Sequence, residues 1–279
     1  MAPLLDVLEA PPPCSHYLQL YDQDRLPLAQ NVAAYISEGL KRQEGALLIA
    51  TPEHQEMFRD ELTRREIDSC RPLAESGILF LDAHETLSRF LVDGEPDEAK
   101  FREVVAAAIC QVKAARPTGL RAYGEMVAVL WAAGRRASAL RLDKFWETLL
   151  HDREFSLFSA YPIDIFSPDF QIPRVDAILC DHTHLIPTGE QDKLAGAVNF
   201  AIDTVLGPEA QSLKQLIKAN YRPAWAVLPE AEGIILWLRN NLPRQADEIL
   251  NLARRHYNSH AQLGERAASA GQDAAGSVK

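Results

Sequence analysis

Tyr123-Gly124-Glu125-Met126 closes the short run Leu120-Arg121-Ala122, which puts a carboxylate beside a glycine at the carboxyl end of an expected buried strand. Open α/β sheets hold their ligands at such strand ends. Tyr21, Asp22, Thr51, Asp82, His84 and Tyr161 also stand at or just past expected strand ends. With Tyr123 beside it, Glu125 would be the polar anchor of a ligand pocket, since such pockets are mostly apolar with a few convergent polar groups. The plainer reading makes Glu125 a cap or dipole acid for the helix that begins near Met126, with Gly124 shaping the turn. No nucleophile, base partner or metal set is placed beside it, so no catalytic residue is expected.

A second group, Cys180-Asp181-His182-Thr183-His184, has the residue types of a metal site. Cys180, His182 and His184 share one face only in a strand. In a helix, which Val175, Ile178 and Leu179 permit, they scatter. Cysteine on an apolar run is more often a small core residue, and neither a metal nor a cofactor is expected.

The phosphate-binding loop GxxxxGK[ST] cradles phosphates with backbone N–H groups and a lysine. After the apolar run Ala46-Leu-Leu-Ile-Ala50, the turn continues Thr51-Pro52-Glu53-His54, with no glycine and no lysine. Pro52 lacks an N–H, and Glu53 occupies the helix-start position that a phosphate would take. ATP hydrolysis is therefore not expected, and the chain reads as a non-enzyme.

The elements that must position these residues alternate. His16-Tyr-Leu-Gln-Leu-Tyr21, 46–50, 77–82, 120–124 and 156–161 read as strands. Between them, Leu28, Val32, Tyr35, Ile36 and Leu40 follow helical spacing. Thr51-Pro52-Glu53 is an N-cap sequence for a helix running to about Glu66. Phe101, Val104, Val105, Ala108, Ile109 and Val112 give the cleanest amphipathic stripe. Strands alternating with helices mean a mostly parallel sheet covered by helices on both faces. From Pro208 the pattern changes to helices alone. The expected organisation is an N-terminal arm over 1–13, an α/β domain over 14–206, a helical extension over 207–262 and a disordered tail over 263–279.

The chain has 279 residues and a formal net charge of −10. That balance, with no run of Lys or Arg, argues against direct nucleic-acid binding. No apolar stretch is long enough to span a bilayer, and the acidic N-terminus does not read as a secretory signal. The four cysteines are widely spaced and read as free thiols of a cytoplasmic protein.

Several motifs together resemble one family. They are His16-Tyr-Leu-Gln-Leu-Tyr21-Asp22, Glu38-Gly39-Leu40, Arg121-Ala-Tyr123-Gly124-Glu125-Met126-Val127, Leu130-Trp131, Ala160-Tyr161-Pro162 and His182-Thr-His184. In order and spacing over roughly 14–190 they are similar to the MEDS domain, the methanogen/methylotroph sensory domain. The resemblance implies a RecA/KaiC-like fold with a degenerate P-loop, used in signal transduction or transcription control. It also implies a small organic ligand and a protein partner such as a kinase or regulator. No kinase motif or helix-turn-helix follows residue 190, so signalling through a separate protein, or self-association through 207–262, is the expected output. The aromatics of 221–257, Trp225, Trp237 and Tyr257, fit such a surface or simply a helical cover. A ligand-free interaction scaffold, its pocket filled by Tyr123 and Met126, is the rival reading. A nucleotide-binding enzyme using Glu125 and Asp82 is the remaining one.

Overall fold

The structure, a computed structural model, describes residues 8–12, 14–187, 191–220 and 228–275. By contacts the chain divides into two compact units. Among the described residues, the first comprises 8–12, 14–164 and 176–187, and the second 165–175, 191–220 and 228–275.

The first unit begins with β1 (His16–Leu20), α1 (Leu26–Lys41), β2 (Gly45–Ala50) and α2 (Pro52–Arg64). The turn α3 (Leu73–Ser76) leads to β3 (Ile78–Asp82) and α4 (Ala83–Ser88). A hairpin of β4 (Leu91–Val92) and β5 (Glu95–Pro96) comes before the long α5 (Glu98–Ala115). Then follow β6 (Leu120–Gly124), α6 (Met126–Ala132), α7 (Arg136–Arg153), β7 (Ser156–Tyr161), α8 (Ile172–Cys180, which begins in the second unit) and β8 (His184–Ile186). The hairpin and β8 are too short for a residue pattern to announce them.

Six strands form one sheet in the order β3-β2-β6-β7-β1-β8, and every pairing in it is parallel. β1, β2, β6 and β7 are buried along their whole length, so they read as near-continuous apolar runs rather than alternating ones. Side chains still alternate between the faces. Tyr17, Leu48, Tyr123 and Phe158 join Val32, Tyr35, Ile36, Phe58 and Leu62 of α1 and α2 in one core. The other face carries Leu18, Leu47, Ala122 and Leu157, and α5, α6 and α7 supply Phe101, Val105, Leu130, Leu142 and Trp146 to the core. The fold is α/β, with a parallel sheet covered on both faces.

Chain direction reverses twice in this order. The connection leaving β2 runs to the β3 edge, while that leaving the adjacent β6 runs the other way to β7. β1 and β7 form a second such pair. Crevices at these reversals, at the carboxyl ends of the strands, are where open α/β sheets bind ligands.

Arg121, on β6, is buried yet fully engaged. It donates to the Leu8, Glu9 and Tyr35 carbonyls at 2.6, 2.8 and 2.8 Å and to Glu44 Oε2 at 2.6 Å. A Cβ on Gly39 would come within 2.6 Å of the Arg121 Cδ and Nε. The glycine therefore makes room for the guanidinium, which ties residues 8 and 9 of the N-terminal arm to the sheet. Residues 1–7 and 13 of that arm lie outside the described residues.

The second unit is helical, with α9 (Gln191–Leu206), α10 (Ala210–Asn220), α11 (Glu230–Asn241) and α12 (Pro243–Ala275). Leu194, Ala197, Val198, Ala201 and Ile202 line the inner stripe of α9, and Ala246, Ile249, Leu250 and Ala253 that of α12. The boundary expected between 206 and 207 follows a change in composition. The contacts place α9 with the later helices, because its apolar stripe packs along α12. Helical backbone continues to Ala275, into the stretch 263–279 read as a tail without structure; its alanines are strong helix formers. Residues 276–279 lie outside the described residues, as do 221–227, including Trp225. No described helix is long and apolar enough to cross a membrane.

Candidate functional site

The first chain reversal is occupied by Glu125. β6 ends at Gly124, where a Cβ would come 3.1 Å from the Trp146 indole, so a bare backbone allows this strand end to pack flat. Glu125 then pairs across to β2, its N–H donating to the Ile49 carbonyl at 2.9 Å. Its side chain does not cap α6. It turns to the neighbouring strand end instead, where Oε2 accepts from the Thr51 N–H at 2.7 Å and Oε1 from the Thr51 hydroxyl at 3.2 Å. Thr51 stands at the N-cap of α2 as expected, but its hydroxyl serves Glu125 rather than the helix.

His54, in the first turn of α2, completes the group. Its Nδ1 is 2.7 Å from Glu125 Oε1, and its Nε2 is buried without a hydrogen-bond partner. The ring stacks on Phe58 and meets Tyr21 edge-on, and Phe58 meets Tyr123 edge-on at 4.9 Å. The Tyr123 hydroxyl is buried and has no hydrogen-bond partner. Burial, and next the Glu125 carboxylate, push the Tyr21 and Tyr123 hydroxyls above the usual phenol range. The result is a carboxylate in an aromatic box: Glu125 is 3% exposed, His54 2% and Tyr123 0%.

Of the residues read from the sequence, Tyr21, Thr51, Tyr123 and Glu125 come together. The others go elsewhere. Asp22 is exposed and accepts from the Asp24 N–H. Asp82 caps α4, accepting from the Glu85 N–H at 2.8 Å, and His84 lies exposed on that helix. Tyr161 ends β7 and points to the opposite face of the sheet, where its hydroxyl donates to Asp143 at 3.1 Å. Burial, and next Asp143, push that hydroxyl well above the phenol range.

Cys180, His182 and His184 do not converge. Cys180 ends α8 and is exposed, His184 opens β8, and His182 is buried between them. All four cysteines are free thiols.

A second turn at a strand end on the same sheet, Tyr21-Asp22-Gln23-Asp24-Arg25 after β1, is also open to comparison with a phosphate loop. It too has no glycine or lysine. Its amides are already used: Asp22 takes the Asp24 N–H at 2.9 Å, and Asp24 takes the Leu26 N–H at 3.1 Å. Two carboxylates hold positions that a phosphate would need.

A family model, described as the methanogen/methylotroph, DcmR sensory domain (MEDS), matches residues 15–183. That is more than half of the 279-residue chain. No curated protein and no solved structure matches the chain significantly.

Proposed function

The chain belongs to the MEDS family of sensory domains, and from that premise we propose that it is a non-enzymatic regulator that binds a small organic molecule beside Glu125 and passes its state to a protein partner. One observation carries the ligand. The His54 Nε2 and the Tyr123 hydroxyl are buried near the Glu125 carboxylate without hydrogen-bond partners. Buried polar groups are normally satisfied, and a small molecule bearing an oxygen would satisfy these. The aromatic box of Tyr21, His54, Phe58 and Tyr123 suits the apolar remainder of an alcohol, aldehyde, halocarbon or small aromatic compound.

The ligand acts by favouring one of two states of the domain, which requires a difference in affinity between them. Its output is contact with a kinase or regulator, or with a second copy through the helices of 207–262. Four free thiols suit a reducing, cytoplasmic setting. One observation favours the rival ligand-free scaffold: Tyr123 and Met126 are both fully buried, as side chains filling a former pocket would be.

A thermal-shift series on the full chain separates these readings. Small organic compounds and Mg-ATP are compared on the wild type and on Tyr123→Phe. Ligand at about a hundredfold its Kd stabilises by about 2.7 kcal/mol. A shift with one organic class, lost in Tyr123→Phe, supports the sensor. A shift with Mg-ATP alone replaces it with a nucleotide site, and no shift with any compound replaces it with the scaffold.

A further inference from the structure

On the opposite face of the sheet, three side chains that the Glu125 site does not use meet in the core. We propose that His16, Asp143 and His182 form a binding site for one divalent metal ion of the zinc and ferrous-iron class. Two imidazoles and a carboxylate are a donor set that such borderline ions take. Their three ligand atoms lie within 4.8 Å of one another, and all three residues are buried. His16 Nε2 is 3.9 Å from Asp143 Oδ1, and His182 Nε2 is 3.7 Å from Asp143 Oδ2. Donors about 2.0–2.2 Å from a zinc ion stand roughly 3–3.5 Å apart at tetrahedral angles. Small inward rotations of the three side chains would close the set.

The surroundings hold the donors ready. His182 Nδ1 is 2.7 Å from the Ile178 carbonyl. That contact places the ring proton on Nδ1 and leaves the Nε2 lone pair facing Asp143, the arrangement that orients histidine ligands in metal sites. Tyr161 donates to Asp143 Oδ2, which orients the carboxylate. Ser159 Oγ, 2.9 Å from His16 Nε2, is within reach as a fourth donor.

A metal-free core explains this group less well. Asp143 Oδ1 and His182 Nε2 are buried without a hydrogen-bond partner, and the His16 and His182 rings press together at a 37° tilt with centres 3.9 Å apart. A carboxylate so far from solvent needs pairing. One cation would satisfy both orphaned atoms. It would also join three distant segments: the start of β1, the middle of α7 and the turn before β8. This site shares no residue with the Glu125 group, so either can fail without the other.

The test uses the full chain, stripped by a chelator under reducing conditions and titrated with Co²⁺ alone, whose visible absorption reports its coordination. The expected result is one equivalent bound, displaced by Zn²⁺, with a raised melting midpoint. His16→Gln and His182→Gln should each weaken binding by more than about 100-fold, beyond the roughly 10–100-fold that loss of an outer-shell partner brings. Tyr161→Phe, which keeps the ring and removes only the bond to Asp143, should weaken it about 10–100-fold. Should the histidine variants not fold, the wild type and Tyr161→Phe decide. No Co²⁺ uptake by the folded wild type overturns the proposal. So does uptake unchanged in the folded variants, or uptake abolished by alkylating the cysteines.

Discussion

His54 Nδ1 lies 2.7 Å from Glu125 Oε1, and both side chains are sealed from solvent. One belongs to the helix after β2 and the other follows β6 directly, so the contact spans the crevice where chain direction reverses. Thr51 binds the same carboxylate through its N–H and its hydroxyl. One acid therefore fixes the spacing of two strand ends.

Removing that acid should loosen the crevice. Glu125→Ala leaves the Thr51 N–H and hydroxyl without their acceptor, and a buried donor left unpaired costs about 1–3 kcal/mol. Glu125→Gln keeps one acceptor oxygen and the shape, and should lose less than half as much. Urea unfolding of the two variants against the wild type gives both values. Equal losses would mean that the carboxylate matters only for the space it fills.

Gly39 and Gly196 both lie inside helices, and alanine at the two sites should act in opposite directions. At Gly39 the new methyl meets Arg121 Cδ and Nε at 2.6 Å. Hydrogen bonds to three carbonyls and Glu44 pin that side chain, so it cannot retreat. Overpacking of this kind costs about 1–3 kcal/mol. At Gly196 nothing lies within 4 Å of the added carbon, and Gly→Ala there should gain about 0.4–1 kcal/mol. The difference in urea midpoint between the two variants is the measurement.

Alkaline pH should unfold this protein through its buried tyrosines. Burial is the largest cause raising Tyr21, Tyr35 and Tyr123 above 10.0. A raised folded pKa means that the contribution to stability is complete below the unfolded pKa of about 10 and falls as pH rises toward the folded value. Each such tyrosine then removes about 1.4 kcal/mol per pH unit. Tyr35→Phe deletes one titrating group along with its 2.6 Å bond to Ser156. Its stability should start lower at neutral pH and fall less steeply above about pH 10.

The fold was legible where residue pattern alone decides it. Apolar runs marked five of the six sheet strands, and the stripe from Phe101 to Val112 marked α5. Pairing order was not legible, because parallel neighbours meet only after long crossovers, and β8 is three residues long. In the site, Glu125, Tyr123, Thr51 and Tyr21 followed from standing at strand ends. His54 was missed although it is four residues before Phe58 and eight before Leu62, both buried on α2; that spacing puts it on the inward stripe. Asp143 gave a similar signal, lying among Ala139, Leu142 and Trp146 on the buried side of α7. Its meeting with His16 and His182 depends on β1 pairing with β8, which no local pattern reveals.

Tyr123→Phe separates the needs of folding from those of sensing. The Tyr123 hydroxyl is buried without a partner, packed in a ring cluster with Phe58 and Phe158. Phenylalanine keeps the ring contacts and removes only the unsatisfied oxygen, whose burial costs about 1–3 kcal/mol. In the absence of ligand the variant should therefore be more stable than the wild type, by about 1 kcal/mol or more in urea. A hydroxyl kept at the expense of stability is typical of a binding site, and the same variant should lose its thermal response to the organic ligand. A variant that is less stable than the wild type would show that the hydroxyl is satisfied in solution, and the argument for a ligand beside it would fail.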